Sequence, residues 1–249
     1  MSTPSPPFRH RFGWVSLARF DNLRSLLGPL AAGLSVVLLL LGFALIASEV
    51  FEGDTRGIDM RLLHKAQQIR EAHPWFTQVM RDLSGLGSTS VLTLLTAATA
   101  GYLLLVSARM TALLVVASTL GFAGLVTLLK HAFSRMRPDA TFADYAAWGM
   151  SFPSGHASMS AAVFLTLGVL TATTRNRLSE RLYILAVAAA TALLVGVSRI
   201  ALGVHWGTDV LAGWALGTAW AIAWLLIAYR LVHPEITAAA RLDDDDATG

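Results

Sequence analysis

Three short stretches hold the side chains that chemistry can use. The richest covers residues 198–209 and carries Arg199, His205 and Asp209 between two long apolar runs. His205 and Asp209 are four apart, so on a helix they share a face. A carboxylate oxygen can then accept from one ring nitrogen and leave the other as a nucleophile or base. The second stretch, residues 130–138, holds Lys130, Arg135, Arg137 and Pro138. The third is Pro153, Ser154, Gly155 and His156, at the start of another apolar run. Here Ser154 can cap a helix and Gly155 lets backbone approach a ligand closely. The free N–H groups and the helix dipole make an anion site. Taken singly, each stretch also fits a blander role: a polar patch at a membrane interface, a basic anchor at the end of a span, or an ordinary capped helix with a chance histidine.

Together they describe more. Lys130, Arg137 and Arg199, a hydroxyl at Ser154 and a helix N-terminus at Gly155 form a phosphate cradle. Arg forks onto two phosphate oxygens and Lys adds a point charge. Two histidines, His156 and His205, suit a two-step displacement in which one attacks phosphorus and the other protonates the leaving oxygen. No carboxylate cluster points to a divalent metal, so the cations are expected to neutralise the developing charge themselves.

The elements that must bring these stretches together are membrane helices. Of the 249 residues, 55% are hydrophobic and only 14% charged, which is too apolar for a soluble domain of this size. The apolar residues gather in runs of spanning length, at about 26–47, 89–107, 111–129, 156–173, 182–202 and 204–229. Cysteine is absent, which removes disulfides, thiolate nucleophiles and Cys-ligated metals. A net charge of +3 without a Lys/Arg-rich cluster gives no nucleic-acid signal. The expected fold is all-α, a six-span transmembrane bundle over residues 26–230. Residues 1–25 are read as a polar cytoplasmic arm and 231–249 as a disordered acidic tail. The first run is longer than a signal-peptide core and follows a long polar lead, so it is expected to remain as a span.

Residues 49–87 break the pattern. Ile58, Leu62, Leu63, Ala66 and Ile69 recur at helical spacing, and Trp75, Phe76, Val79, Met80 and Leu83 follow Pro74. These are expected to be short amphipathic helices on the membrane surface, acting as a lid, a lipid entrance or a plain packing segment. Ser84 to Ser88 reads as a turn and Pro138 as a helix stop. Gly213 and Gly217 form a G-x-x-x-G pair suited to close helix packing. With six spans both termini share a side. That side carries Arg109, Arg175, Arg177 and Arg181 in short loops and is expected to be cytoplasmic. All three chemical stretches then face the opposite side.

The pattern K-x6-R-P at 130–138, P-S-G-H at 153–156 and S-R-x5-H-x3-D at 198–209 resembles the type 2 phosphatidic acid phosphatase superfamily, the lipid phosphate phosphatases, in its bacterial integral-membrane branch. The resemblance covers about residues 26–230 with the motifs intact and in order. It implies His205 as a nucleophile that becomes phosphohistidine, Asp209 orienting it, and His156 as the general acid. Lys130, Arg137, Ser154, Gly155 and Arg199 would bind phosphate, without a metal or other cofactor. The superfamily also holds soluble vanadate-dependent haloperoxidases, against which the spans argue. The residues favour the same division of labour. Asp209 can stabilise the cation that forms as His205 attacks, while His156 sits at the positive end of a helix dipole, which makes a protonated ring a readier acid. The expected substrate is a lipid phosphate at the outer leaflet of a bacterial inner membrane: undecaprenyl diphosphate, phosphatidate, phosphatidylglycerophosphate or the lipid A phosphate. Phosphotransfer to another lipid, or transport of a phosphorylated lipid without chemistry, are the alternatives.

Overall fold

A computed structural model describes residues 23–232, and side chains from residue 27. The expected arm at 1–25 and tail at 231–249 lie almost wholly outside the described residues. Eight helices follow in order: α1 (Leu23–Glu52), α2 (Arg56–Ala72), α3 (Pro74–Leu86), α4 (Thr89–Leu105), α5 (Arg109–Phe133), α6 (Gly155–Ala172), α7 (Leu178–Ala201) and α8 (Gly207–Val232). There is no strand among the described residues.

Five of these helices, α1, α5, α6, α7 and α8, are individually long and apolar enough to cross a bilayer. The sixth path is composite. At 17 residues α4 is short, and it reaches spanning length only with α3, to which it joins at a 40° bend. The bend falls at Gly87 and Ser88, where the Ser88 hydroxyl caps α4 by accepting from the Val91 N–H. The expected turn at 84–88 is therefore narrower than read, because α3 continues through Ser84 to Leu86. Gly87 is required at the bend, since a Cβ there would lie 2.3 Å from Val195 Cγ1. The other revised boundary is at α5. It ends at Phe133, before Pro138, because Ser134 turns into the left-handed region (φ 48°) and returns its N–H to the Lys130 carbonyl.

The core is the packing of α6 against α7 and α8. α8 lies on α6 with almost no side chain between them. A Cβ on Gly217 would fall 2.3 Å from the Ser158 carbonyl, and one on Gly213 3.0 Å from the Ser154 carbonyl. The small-residue pair thus serves the close approach expected of it. Phe122 and Val126 of α5 join Ala162 and Leu216 in one cluster, with the Trp220 ring stacked on Phe122 at 5.1 Å. The indole N–H groups of α8 tie the bundle sideways: Trp214 to the Ala192 carbonyl, Trp220 to the Ser118 hydroxyl and Trp224 to the Leu114 carbonyl. By contrast α1 leaves most of its surface free for lipid. Its other face packs along α8, and near its end Phe43 and Ala47 meet Phe152.

Up-and-down connection of these spans places the C-terminal ends of α5 and α7 and the N-terminal ends of α6 and α8 at one end of the bundle. The amphipathic helix α2 lies across that end. Its inward face is Asp59, Leu63 and Ala66, with Leu62 at the margin against Gly207, while Ile58 is exposed. The strap joining α5 to α6 crosses the same end and is pinned by an Arg81–Asp144 ion pair (2.6 Å) from α3. A second pin is Arg70 of α2, which donates to the Phe142 and Ala201 carbonyls.

Candidate active site

His205 lies in the five-residue step between α7 and α8, fully buried. Its chain neighbours Leu202 and Val204 are also buried, clustered with Met80 and Ala201. Its Nδ1 is 3.2 Å from Asp209 Oδ2, the i, i+4 contact expected from the sequence. The same carboxylate oxygen accepts from the Ser151 hydroxyl and from the Trp206 N–H (3.1 Å). The other ring nitrogen, Nε2, faces Arg137 Nη1 at 3.1 Å. Burial pushes the His205 imidazolium down to about 4, although Asp209 opposes the shift. The ring is therefore neutral near pH 7, with its Nε2 lone pair directed toward Arg137.

The expected cations converge on this ring from three elements. Lys130, in the last turn of α5, donates to the Met150 carbonyl (2.8 Å), and a Cβ on Gly155 would lie 3.6 Å from its Cε. Arg137 is anchored through the Gly149 carbonyl (3.0 Å) and the Val204 carbonyl (2.8 Å). Arg199, at 3% exposure, donates to the Ser84 hydroxyl (2.5 Å) and to the Tyr145 hydroxyl. Like charges so close repel, and these oxygens are what hold them together. Arg199, His205, Arg137 and Lys130 all act electrostatically on the His156 ring. The eight residues singled out from the sequence thus gather at one end of the bundle.

One local expectation fails. Ser154 occupies the N-cap position of α6, yet its hydroxyl makes no capping bond. Its N–H is taken by the Asp209 carbonyl (3.0 Å), which locks the start of α6 to α8. Among the described residues three buried side-chain atoms lack a partner: Ser154 Oγ, Thr166 Oγ1 and Arg199 Nε. Two of the three lie here. A buried donor without a partner costs about 1–3 kcal/mol, and a phosphate would supply the acceptor both need. Phe152 fixes the turn that presents Ser154. Its ring is fully buried between Phe43 (5.8 Å) and Phe133 (4.7 Å).

Sequence reasoning missed several contributors. Ser151 donates to Asp209, and Tyr145 and Ser84 hold Arg199. Arg135, which stood only as one of a basic cluster, reaches Asp209 Oδ1 at 2.6 Å and Asp59 Oδ2 at 2.8 Å. An acid on the inward face of an amphipathic helix, in line with Leu63 and Ala66, was the available signal for Asp59.

A polytopic helical bundle that brings a basic cradle against a carboxylate-backed imidazole defines a class of membrane enzyme acting on phosphate. Residues 111–232 match the PAP2 superfamily, and the chain belongs to that family. It is a multi-pass bacterial membrane protein and a hydrolase, a phosphatase acting on lipid phosphates. It is similar to phosphatidylglycerophosphatase B of Bacillus subtilis, 30% identical over 182 residues, which cover 73% of this chain and 88% of that protein. It is also similar to the lipid A 1-phosphatase of Rhizobium johnstonii, 35% identical over 140 residues, covering 49% and 52%. Among solved structures, the transmembrane PAP2 type phosphatidylglycerolphosphate phosphatase from Bacillus subtilis superposes with a TM-score of 0.73 at 29% identity, over 79% of this chain and 96% of that one. LpxE of Aquifex aeolicus shares the fold, with a TM-score of 0.52 at 23% identity over 68% and 94%.

Proposed function

We propose that this phosphatase hydrolyses a glycerophospholipid monophosphate of the phosphatidylglycerophosphate or phosphatidate class through a phosphohistidine on His205. The observation that carries the proposal is the division of the His205 ring. Nδ1 is held by Asp209 at 3.2 Å, and Nε2 points at the Arg137 guanidinium. In the first step His205 Nε2 attacks phosphorus, and the bond to the lipid oxygen breaks. His156 gives its proton to that oxygen, and the lipid leaves as an alcohol. Asp209 stabilises the positive ring that forms. In the second step water attacks phosphorus, His156 takes its proton, and the N–P bond breaks to return neutral His205 and inorganic phosphate. Arg137, Arg199, Lys130, the Ser154 hydroxyl and the N–H groups at Gly155 hold the phosphoryl oxygens throughout. This donor set is cationic, so it repels a divalent metal rather than ligating one.

The surroundings support a lipid. Met136 and Trp148 stand exposed beside Arg137. An apolar hollow of about 180 Å³, lined by Ala143, Ala147 and Trp148, opens at Arg137 on one side. A groove of about 800 Å³ between Val50, Met60, Met136 and Trp206 opens on the other. The likeness to a phosphatidylglycerophosphatase over most of both chains favours that head group over lipid A. The short basic loops at Arg109 and at Arg175 to Arg181 favour a cytoplasmic far end, with both termini inside and the site facing outward from the inner membrane.

The test is phosphate release from purified protein in detergent, with EDTA present, against a panel of phosphatidylglycerophosphate, phosphatidate, undecaprenyl diphosphate and lipid A. Preferred turnover of the first two is expected. Turnover confined to the others, or abolished by EDTA, overturns the substrate or the metal-free chemistry respectively.

A further inference from the structure

Behind the attacking imidazole lies a second tier of charge that the reaction as drawn does not use. Arg135 forks between two carboxylates. Its Nη1 donates to Asp209 Oδ1 (2.6 Å) and Thr208 Oγ1 (2.8 Å), and its Nη2 to Asp59 Oδ2 (2.8 Å). Asp59 comes from α2, some 150 residues away in sequence, and is fully buried. Its Oδ1 accepts the Thr208 N–H at 3.0 Å and its Oδ2 the Thr208 hydroxyl at 2.7 Å. The Thr208 N–H is one of the orphan donors in the first turn of α8, so Asp59 caps that helix from outside and meets the positive end of its dipole. The approach is tight. A Cβ on Gly207 would lie 2.5 Å from Leu62 Cδ1 and 3.4 Å from Asp59 Oδ1.

We infer that α2 belongs to the catalytic apparatus: Asp59 and Arg135 are positioning residues that fix the rotation of the Asp209 carboxylate, and through it the His205 ring. The reasoning is geometric. A carboxylate has two oxygens and one torsion. Arg135 fastens Oδ1, so Oδ2 alone is presented to His205 Nδ1, Ser151 and the Trp206 N–H. With Asp209 as its only anion, Arg135 would be free to follow that carboxylate as it moved. Asp59 holds the guanidinium from the far side, in the fork geometry that suits Arg and not Lys. Neither residue touches the reacting atoms. Each acts through Asp209.

The inference rests on the reading of His205 as nucleophile, and the experiment separates the two. Turnover, the Ki of inorganic phosphate and the rate of phosphoenzyme formation are measured on full-length wild type, Asp59→Asn, Arg135→Gln, Arg135→Lys and the Asp59→Asn/Arg135→Gln pair. Arg135→Gln alone strands a buried Asp59. The pair removes both charges together, and it serves as the decisive variant where the single change does not fold. The pair is expected to lower kcat and the phosphorylation rate roughly 10²-fold, the scale of misaligning a reacting group by about 1 Å. KM and the phosphate Ki should stay within about threefold, because the cradle is untouched. Asp59→Asn should cost less, Arg135→Lys should restore part of the loss, and the pair should be no worse than Arg135→Gln where both fold. Undiminished kcat in the pair, or a loss carried in KM and the phosphate Ki, overturns the inference while leaving the nucleophile in place. A wild-type protein that carries no phosphate on His205 overturns both.

Discussion

The two halves of the site are finished to different degrees. On the α8 side nearly every polar atom is spoken for: Asp209 receives Ser151, Arg135, the Trp206 N–H and His205, and Arg135 is held in turn by Asp59. On the α6 and α7 side the Ser154 hydroxyl and Arg199 Nε are buried without partners. The first half is a set of acceptors and donors matched to one another. The second is a set of donors with an acceptor missing. In the proposed mechanism, a phosphoryl group that arrives at the second half meets a nucleophile already aligned in the first. On that mechanism the contrast teaches that preorganisation is concentrated where the bond would form, while binding capacity is stored where the phosphate oxygens would rest.

The harshest way to break the comparison is to remove each histidine in turn. His205→Ala should abolish turnover and the acid-labile, base-stable phosphate trapped by rapid quench with labelled substrate. His156→Ala should keep that intermediate but slow its formation by roughly 10²–10⁴-fold, the usual worth of general acid catalysis. Label on His205→Ala, and none on wild type or His156→Ala, would reverse the two roles.

A pair of serines then sharpens it. Ser151→Ala removes a donor from Asp209 on the finished side and should lower stability by about 1.5–3 kcal/mol, read by thermal unfolding in detergent. Ser154→Ala deletes a buried hydroxyl that has no partner, so stability should hold or rise, by up to about 1–3 kcal/mol. The phosphate Ki should nonetheless weaken roughly tenfold, because the lost bond is to an anion. Equal destabilisation by the two changes would erase the contrast.

The mildest probe is pH. An ordinary imidazole titrates near 6.5, whereas burial holds His205 at about 4. The sign is that of a neutral ring favoured by the fold: the ring stays unprotonated as pH falls through 6.5 and gains its proton only near 4. Its NMR titration should show that midpoint, and a midpoint at 6 or above would mean the ring is not sealed as described.

The finished half is also the half that was harder to read in the sequence. His205 and Asp209 are visible as an i, i+4 pair, although His205 stands before α8 and the contact comes from Asp209 in the first turn reaching back to it. Lys130, Arg137, Ser154, Gly155, His156 and Arg199 are visible as costly residues at the ends of apolar runs. The helical class follows from run length alone. The supporting tier is not visible in that way. Asp59 follows Glu49, Glu52 and Asp54 in a polar stretch, and only its register with Leu63 and Ala66 separates the buried acid from the exposed ones. Arg135 could not be told from Arg137, two residues on, because the difference lies in where the strap turns after Ser134. Ser84 and Tyr145 reach Arg199 across 115 and 54 residues of chain, and no local pattern encodes such contacts. Run length also counts α4 as a complete span, because hydropathy cannot show that its path is finished by α3 at a bend.

The contact of α6 with α8 has a mechanical meaning. Where side chains separate two helices, a change in tilt is absorbed by rotamers. Here Gly213 and Gly217 bring backbone to backbone, and the Ser154 N–H is bonded to the Asp209 carbonyl at the very end that carries the chemistry. The two helices therefore lean as one strut when a thicker or thinner bilayer forces a tilt. The placing of His156 on α6 relative to His205 at the foot of α8 is thereby insulated from the lipid around it. Phosphorylation rates in thin and thick reconstituted bilayers should consequently agree within about threefold for the wild type, and diverge once Gly217→Ala inserts a methyl group into the seam.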